Sequence, residues 1–156
     1  MRRRGALLEW RWQALERLSL GGSYTWTDAE ITAGTFDGNE VPYVAEHVGA
    51  LNTTWDFGNG ISAFAEYAWN GSRYALGDDA NAYGRVDTEG VLNMALRWAS
   101  GQWNATLRAN NLNDEEYDSL TSIFEDYDPL TGNSYGVRSV YPAPERTVYL
   151  TLGYSL

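Results

Sequence analysis

The residues best suited to chemistry are acidic and close together. Asp114, Glu115, Glu116, Asp118, Glu125, Asp126 and Asp128 crowd one stretch, and carboxylate oxygens are the ligands that hard cations such as Ca²⁺ take. Their spacing does not fit an EF-hand, so a solvated acidic loop is the default and a cation-binding loop the alternative. Tyr127, Tyr135 and Tyr141 share the stretch and are suited either to contacting a ligand or to packing the loop. Arg97 and Arg108 fall on one side of neighbouring alternating runs. Such a pair attracts an anion, or pairs with Glu66 on the same face. The single histidine, His47, suits a loop cap or a polar interface. There is no Cys, no glycine-rich phosphate loop and no Ser-His-Asp set of workable spacing. The paired carboxylates lack a scaffolding motif. No enzymatic role and no cofactor are expected. A net charge of -10 and a pI near 4.4 exclude a general nucleic-acid binder.

Strands must position these residues, because the dominant signal is period-two alternation punctuated by Gly, Asn and Asp. Seven runs follow it, each with an apolar and a polar face: Leu8 to Ala14, Leu18 to Thr27, Leu51 to Phe57, Ile61 to Asn70, Leu92 to Trp98, Trp103 to Asn110 and Thr147 to Leu156. The connections alternate in length. Glu16-Arg17, Gly58-Asn59-Gly60 and Ser100-Gly101 are tight. Roughly 28–46, 71–89 and 113–144 are long, polar and read as irregular. The fold class is therefore all-β, an antiparallel up-and-down meander of about seven strands.

The 156 residues fit one domain, and a mean hydropathy of -0.44 with only short apolar runs leaves no transmembrane helix. Alternating strands can still cross a membrane as a β-barrel. Barrels of that kind have tight turns at one end and long loops at the other, with aromatic girdles edging a lipid-facing band. Here Trp55, Phe57, Trp98, Trp103 and Tyr154 lie beside the tight turns or the C-terminus, and Tyr24, Trp26, Tyr67 and Trp69 beside the long connections. These aromatics read as lipid-interface residues, and outer-membrane lipid as a partner. The rival is a soluble β-sandwich, for instance a carbohydrate-binding module with acidic, Ca²⁺-binding loops. Met1-Arg2-Arg3-Arg4 looks like the start of a signal peptide, but the apolar stretch behind it stops at Glu9.

Several motifs at strand boundaries resemble one family. Asn111-Leu112-Asn113-Asp114-Glu115-Glu116-Tyr117 resembles the Asn-Leu-Phe-Asp-x-x-Tyr element of TonB-dependent outer-membrane receptors, with Asn113 in place of Phe. Tyr141-Pro142-Ala143-Pro144-Glu145-Arg146 is similar to the Tyr-Pro-x-Pro-x-Arg element that leads into that family's last strand. Val41-Pro42, His47 and the stretch Leu18 to Ala29 also match. Leu152, Tyr154 and Leu156 resemble the C-terminal assembly signal of outer-membrane barrels, where the last residue is usually Phe. Order and spacing, rather than any one motif, carry the resemblance over nearly the whole chain.

The resemblance implies a barrel of about 22 strands around a plugged lumen, lodged in the outer membrane of a Gram-negative bacterium. It implies import of ferric siderophores or similar large solutes, powered by the TonB complex. The chain shows neither plug nor TonB-contacting segment. Seven strands would start outside and end on the periplasmic side. A C-terminal fragment, a truncated gene or a misplaced start is therefore expected, with the plug and missing strands as partners. In that setting Arg97 and Arg108 would face the lumen, drawing an anionic ferric chelate or pairing with Glu66 or plug carboxylates.

Overall fold

A computed structural model describes residues 1–155. The described elements are all strands: β1 (Arg2–Leu15), β2 (Leu18–Glu30), β3 (His47–Gly58), β4 (Ile61–Asn70), β5 (Arg73–Tyr74), β6 (Arg85–Val86), β7 (Glu89–Ser100), β8 (Trp103–Asn110), β9 (Asp118–Tyr127), β10 (Ser134–Pro142) and β11 (Thr147–Tyr154). Seven form one sheet in the order β1-β2-β3-β4-β7-β8-β11. Every pairing in it is antiparallel. These seven correspond to the seven alternating runs. The other four make two small ribbons, β5–β6 and β9–β10, inside the long connections.

Tight turns form where the sequence permits positive φ. Gly58, Asn59 and Gly60 have φ of 79°, 53° and 75°, the left-handed values that let a two-residue connection match the twist of its strands. At the opposite end the strands run into the connections 31–46, 71–88 and 111–146.

Register follows the alternation, because a one-residue slip would send every apolar side chain to the other face. One row across the sheet reads Leu18, Trp55, Ala63, Leu96, Leu107 and Leu150. The next parity reads Arg11, Gly21, Asn52, Glu66 and Asn93. One face is mainly apolar and the other mainly polar through the middle of the sheet.

The apolar face is not covered. Leu8, Trp12, Trp103 and Leu152 are exposed, Leu152 by 69%. The buried apolar residues among those described are Ala45, Ala75, Val86 and Ile123, and all lie in the long connections. A β-sandwich requires the inner faces of two sheets to interdigitate into a core. No described residue of this sheet takes part in such a core, so the soluble-sandwich alternative lacks its defining feature.

Three details depart from the sequence expectations. β1 begins at Arg2, so Arg2-Arg3-Arg4 are strand residues paired with Glu30, Ala29 and Asp28. The stretch 113–144 is not irregular, since β9 and β10 form a hairpin within it. The polar stretch ending at Glu89 holds the β5–β6 ribbon, and Glu89 itself opens β7.

Candidate functional site: a membrane-facing wall and a clamped outer end

On the apolar face, aromatics gather at the two ends of the sheet. Near the tight turns, Trp55 stacks on Phe57 at 5.1 Å between ring centroids and Trp103 meets Tyr154 at 4.7 Å. Tyr154 also donates its hydroxyl to Gln102 Oε1 at 2.7 Å. Near the long connections, Tyr67 stacks on Trp69 at 6.4 Å and Tyr24 on His47 at 6.0 Å. A hydrogen bond of 2.7 Å joins the Tyr24 hydroxyl to His47 Nδ1, and Trp26 Nε1 donates to Glu46 Oε1 at 3.0 Å. Beyond Trp26 on this face come the ion pairs Arg4–Asp28 (3.0 Å) and Arg2–Glu30. The vertical order is apolar band, aromatic ring with a polar handle, then charge. That is the order a lipid interface imposes.

Two glycines let the outer ring lie flat. A side chain at Gly49 would collide with the Trp69 indole, and one at Gly90 with the Tyr67 ring. Each aromatic covers the bare backbone of the neighbouring strand, which shields ladder hydrogen bonds and fixes the ring.

On the polar face, Glu66 (β4), Arg97 (β7) and Arg108 (β8) share one side. Arg97 lies opposite Thr106 and Arg108 opposite Ala95, two rungs apart. Among the described residues neither arginine has a carboxylate within 4 Å. The expected pairing with Glu66 is therefore not made. Asn93, the cross-strand neighbour of Glu66, lines the same hollow as Glu66 and Arg108.

The two family motifs meet in space. Asn111 is buried, 3% exposed, with φ of 51°. Its Oδ1 accepts from the Glu115 amide at 2.9 Å, and its Nδ2 donates to Glu115 O at 2.9 Å and Pro144 O at 3.3 Å. Asp114 accepts from the Arg146 amide and guanidinium, both at 3.1 Å. The Leu112 amide bonds Leu92 O at 2.7 Å, and Tyr117 O accepts from the Ala143 amide at 2.9 Å. Pro142 ends β10, and Pro144 stands between it and β11. One clamp thus ties the exit of β8 to the start of β11. Asn113, where Phe is usual, bonds the Leu92 amide (2.9 Å) and Gly90 O (2.7 Å). It extends the polar pairing along the outer end of β7.

The acidic residues do not close on a single point. Among the described residues no three His, Cys, Asp or Glu side chains make a group able to hold a metal ion. Alternation on β9 sends Glu125 and Asp126 to opposite faces. Asp118 accepts from Thr121 and Asp126 from the Tyr127 amide. Asp128 accepts from the Thr131 hydroxyl at 2.6 Å and the Leu130 amide at 2.9 Å. The Thr131 bond, then the Leu130 bond, holds the Asp128 carboxyl below its ordinary value of 3.8. Asp114, Glu115, Glu116, Asp118 and Glu145 border one open cleft of about 730 Å³ between β7 and the 111–146 connection. The three tyrosines also separate. Tyr127 lies on one face of the hairpin, Tyr135 and Tyr141 on the other.

Charge is partitioned as sharply as polarity. Fourteen of the 21 acidic residues and four of the 11 arginines lie in the three long connections. The whole net charge of -10 therefore sits beyond the outer end of the sheet, and the remainder is neutral.

A continuous antiparallel meander with one lipid-compatible face, tight turns at one end and long connections at the other defines a stretch of transmembrane β-barrel wall. Comparison with known proteins gives the particular class. Residues 1–112 match the family model described as TonB dependent receptor-like, beta-barrel, and the chain belongs to that family. It is 31% identical over 137 residues to the ferrichrome outer membrane transporter/phage receptor of Escherichia coli (strain K12), covering 81% of this chain and 18% of that protein. The fold matches the ferric yersiniabactin uptake receptor FyuA of Yersinia pestis with a TM-score of 0.75, at 20% identity, over 97% of this chain and 23% of that one. It also matches the siderophore receptor PiuA of Acinetobacter baumannii with a TM-score of 0.76, at 18% identity, over 97% of this chain and 21% of that one. The chain thus spans about a fifth of the length of these relatives, which are transporters and receptors. Its family is one of outer-membrane barrels, and the outer membrane is its location.

The motifs of 111–146 lie mostly beyond the residues that the family model matches. Their contact with one another is independent structural support for the resemblance. Sequence reasoning did not single out Asn93, Tyr43 or Asp78, nor the largely buried ion pair of Arg73 with Glu89 at 3.0 Å. The signal for Tyr43 was faint, since a non-glycine residue at φ 62° declares itself only in the structure.

Proposed function

We propose that the chain is the C-terminal sector of a TonB-dependent receptor, providing wall strands and three extracellular connections for uptake of a ferric siderophore or similar large solute. The observation that carries this reading is the exposed apolar face of the seven-stranded sheet, edged by aromatics, on a sheet with no buried core of its own among the described residues. Such a face is stable against lipid and an aggregation hazard in water. The ferrichrome transporter supports a siderophore as the solute. The plug, the other strands and the TonB-contacting segment belong to sequence outside this chain, and the strand edges of β1 and β11 are where the missing wall joins.

In this reading Tyr24, Trp26, Trp55, Phe57, Tyr67, Trp69, Trp98 and Trp103 anchor the wall at the two lipid interfaces. Leu152 and Tyr154 in β11 serve barrel assembly; Leu156, the third residue of that signal, lies outside the described residues. Glu66, Arg97 and Arg108 face the lumen, where the arginines meet carboxylates of the plug. Tyr135 and Tyr141 are the ligand-facing candidates of the hairpin. The chain has no enzymatic role.

The test is uptake by the full-length receptor in a Gram-negative strain lacking its own siderophore receptors. Radiolabelled ferrichrome is the probe. Uptake that requires both this sector and an intact TonB complex supports the proposal. Uptake unchanged by deletion of residues 111–156 contradicts it.

A further inference from the structure

The three long connections are built as one body. Leu76, just after β5, donates its amide to Thr121 O at 2.9 Å and accepts from the Ile123 amide at 2.7 Å, making a single parallel bridge to β9. Ala75, Val86 and Ile123 close a small apolar core there. The first connection joins the same body through polar contacts. Asn81 Oδ1 accepts from the Glu40 amide at 2.9 Å and Asn81 Nδ2 donates to Glu40 O at 3.1 Å. Asn39 Nδ2 donates to Asp79 O at 2.9 Å. Tyr43 donates its hydroxyl to Ser119 O at 2.8 Å and its amide to Tyr74 O at 2.9 Å. At the centre, Asp78 is 1% exposed. Its carboxylate takes the Ala82 and Tyr83 amides at 2.8 and 3.1 Å, and so shapes the turn that presents Asn81.

We propose that these three connections form one cooperatively folded cap over this sector of the barrel, rather than three independently mobile loops. Segments that share a buried core and backbone bonds open together, because opening any one exposes surface that the others cover. A loop held only by exposed hydrogen bonds would open alone. Here Thr121 and Asp78 are nearly solvent-free, and each segment supplies partners to the other two. The acidic cleft between β7 and the 111–146 connection is then preformed. Its shape does not wait on ligand, and a solute passing this sector meets a fixed wall. The inference does not depend on which solute is carried, so it stands or fails separately from the uptake proposal.

The experiment is hydrogen exchange by mass spectrometry on the full-length receptor in detergent, comparing wild type with Asp78→Ala. The direct bonds of the Asp78 carboxylate stay within 78–83. A single cap predicts that exchange accelerates about tenfold in 74–84 and also in 36–43 and 118–127. Where Asp78→Ala prevents assembly, Asn81→Ala replaces it. Asn81 has no bond to β9, so acceleration in 118–127 again reports the shared unit. Acceleration confined to the directly bonded segments overturns the proposal.

Discussion

Asp114 and Arg146 are tied twice, through the backbone amide and the guanidinium of Arg146, each 3.1 Å from a different carboxylate oxygen. The two residues are 32 positions apart and bracket the whole β9–β10 hairpin. Beside them, buried Asn111 bonds Glu115 and Pro144. The base of the longest connection is therefore a closed ring, and the hairpin projects from a fixed root.

The two parts of that ring differ in strength. Asp114 and Arg146 are about half exposed, so their ion pair is screened and contributes little. Asn111→Ala removes a buried side chain that satisfies the Glu115 amide and the Glu115 and Pro144 carbonyls, and puts Ala at a positive φ. It is expected to cost about 3 kcal/mol, against about 1 kcal/mol or less for Asp114→Ala. Urea unfolding of the full-length receptor in detergent checks the order. Equal losses would mean that Asn111 is not the keystone.

The glycine beneath the outer aromatic ring gives a coupled prediction. Gly49→Ala drives a methyl into the Trp69 indole, an overpacking expected to cost about 1–3 kcal/mol. In a Trp69→Ala background the same change should be nearly neutral. A double-mutant cycle reads the difference. Identical costs in both backgrounds would show that the ring does not rest on Gly49.

Asp128 gives a pH prediction at the hairpin tip. Its carboxyl is held below 3.8, first by the Thr131 hydroxyl and then by the Leu130 amide. A lowered value means that the folded turn favours the charged form. The turn therefore keeps this stabilisation above about pH 3.8 and loses it as pH falls through the lowered value. Thr131→Ala should move the titration up towards 3.8. A carboxyl-carbon NMR titration of labelled receptor measures both, and an unmoved midpoint would remove Thr131 as the cause.

How much of this was legible in the sequence depended on whether the information was local. Alternation such as Leu92, Met94, Leu96 and Trp98 against Asn93, Ala95 and Arg97 names a strand and its faces at once, so the seven wall strands and their two faces could be read. Arg2 and Arg4 fall on the apolar face of β1, so the pattern there broke and the strand looked shorter. β9 and β10 carry polar and apolar residues on both faces, as in Glu125-Asp126 beside Phe124, and two-residue strands such as β5 and β6 have no period at all. The motifs around Asn111 and Pro144 were visible separately, whereas their contact is a long-range fact. The acidic run is a related case. Neighbours on a strand point apart, and closeness in sequence is not convergence in space.

The central claim is that the apolar face of this sheet meets lipid. Single-tryptophan variants of the full-length receptor retaining Trp55, Trp98 or Trp103, reconstituted in bilayers of brominated phosphatidylcholine, test it most directly. All three should be strongly quenched relative to unbrominated lipid. Unquenched emission at all three, with the water-exposed spectrum of an indole in buffer, would contradict it.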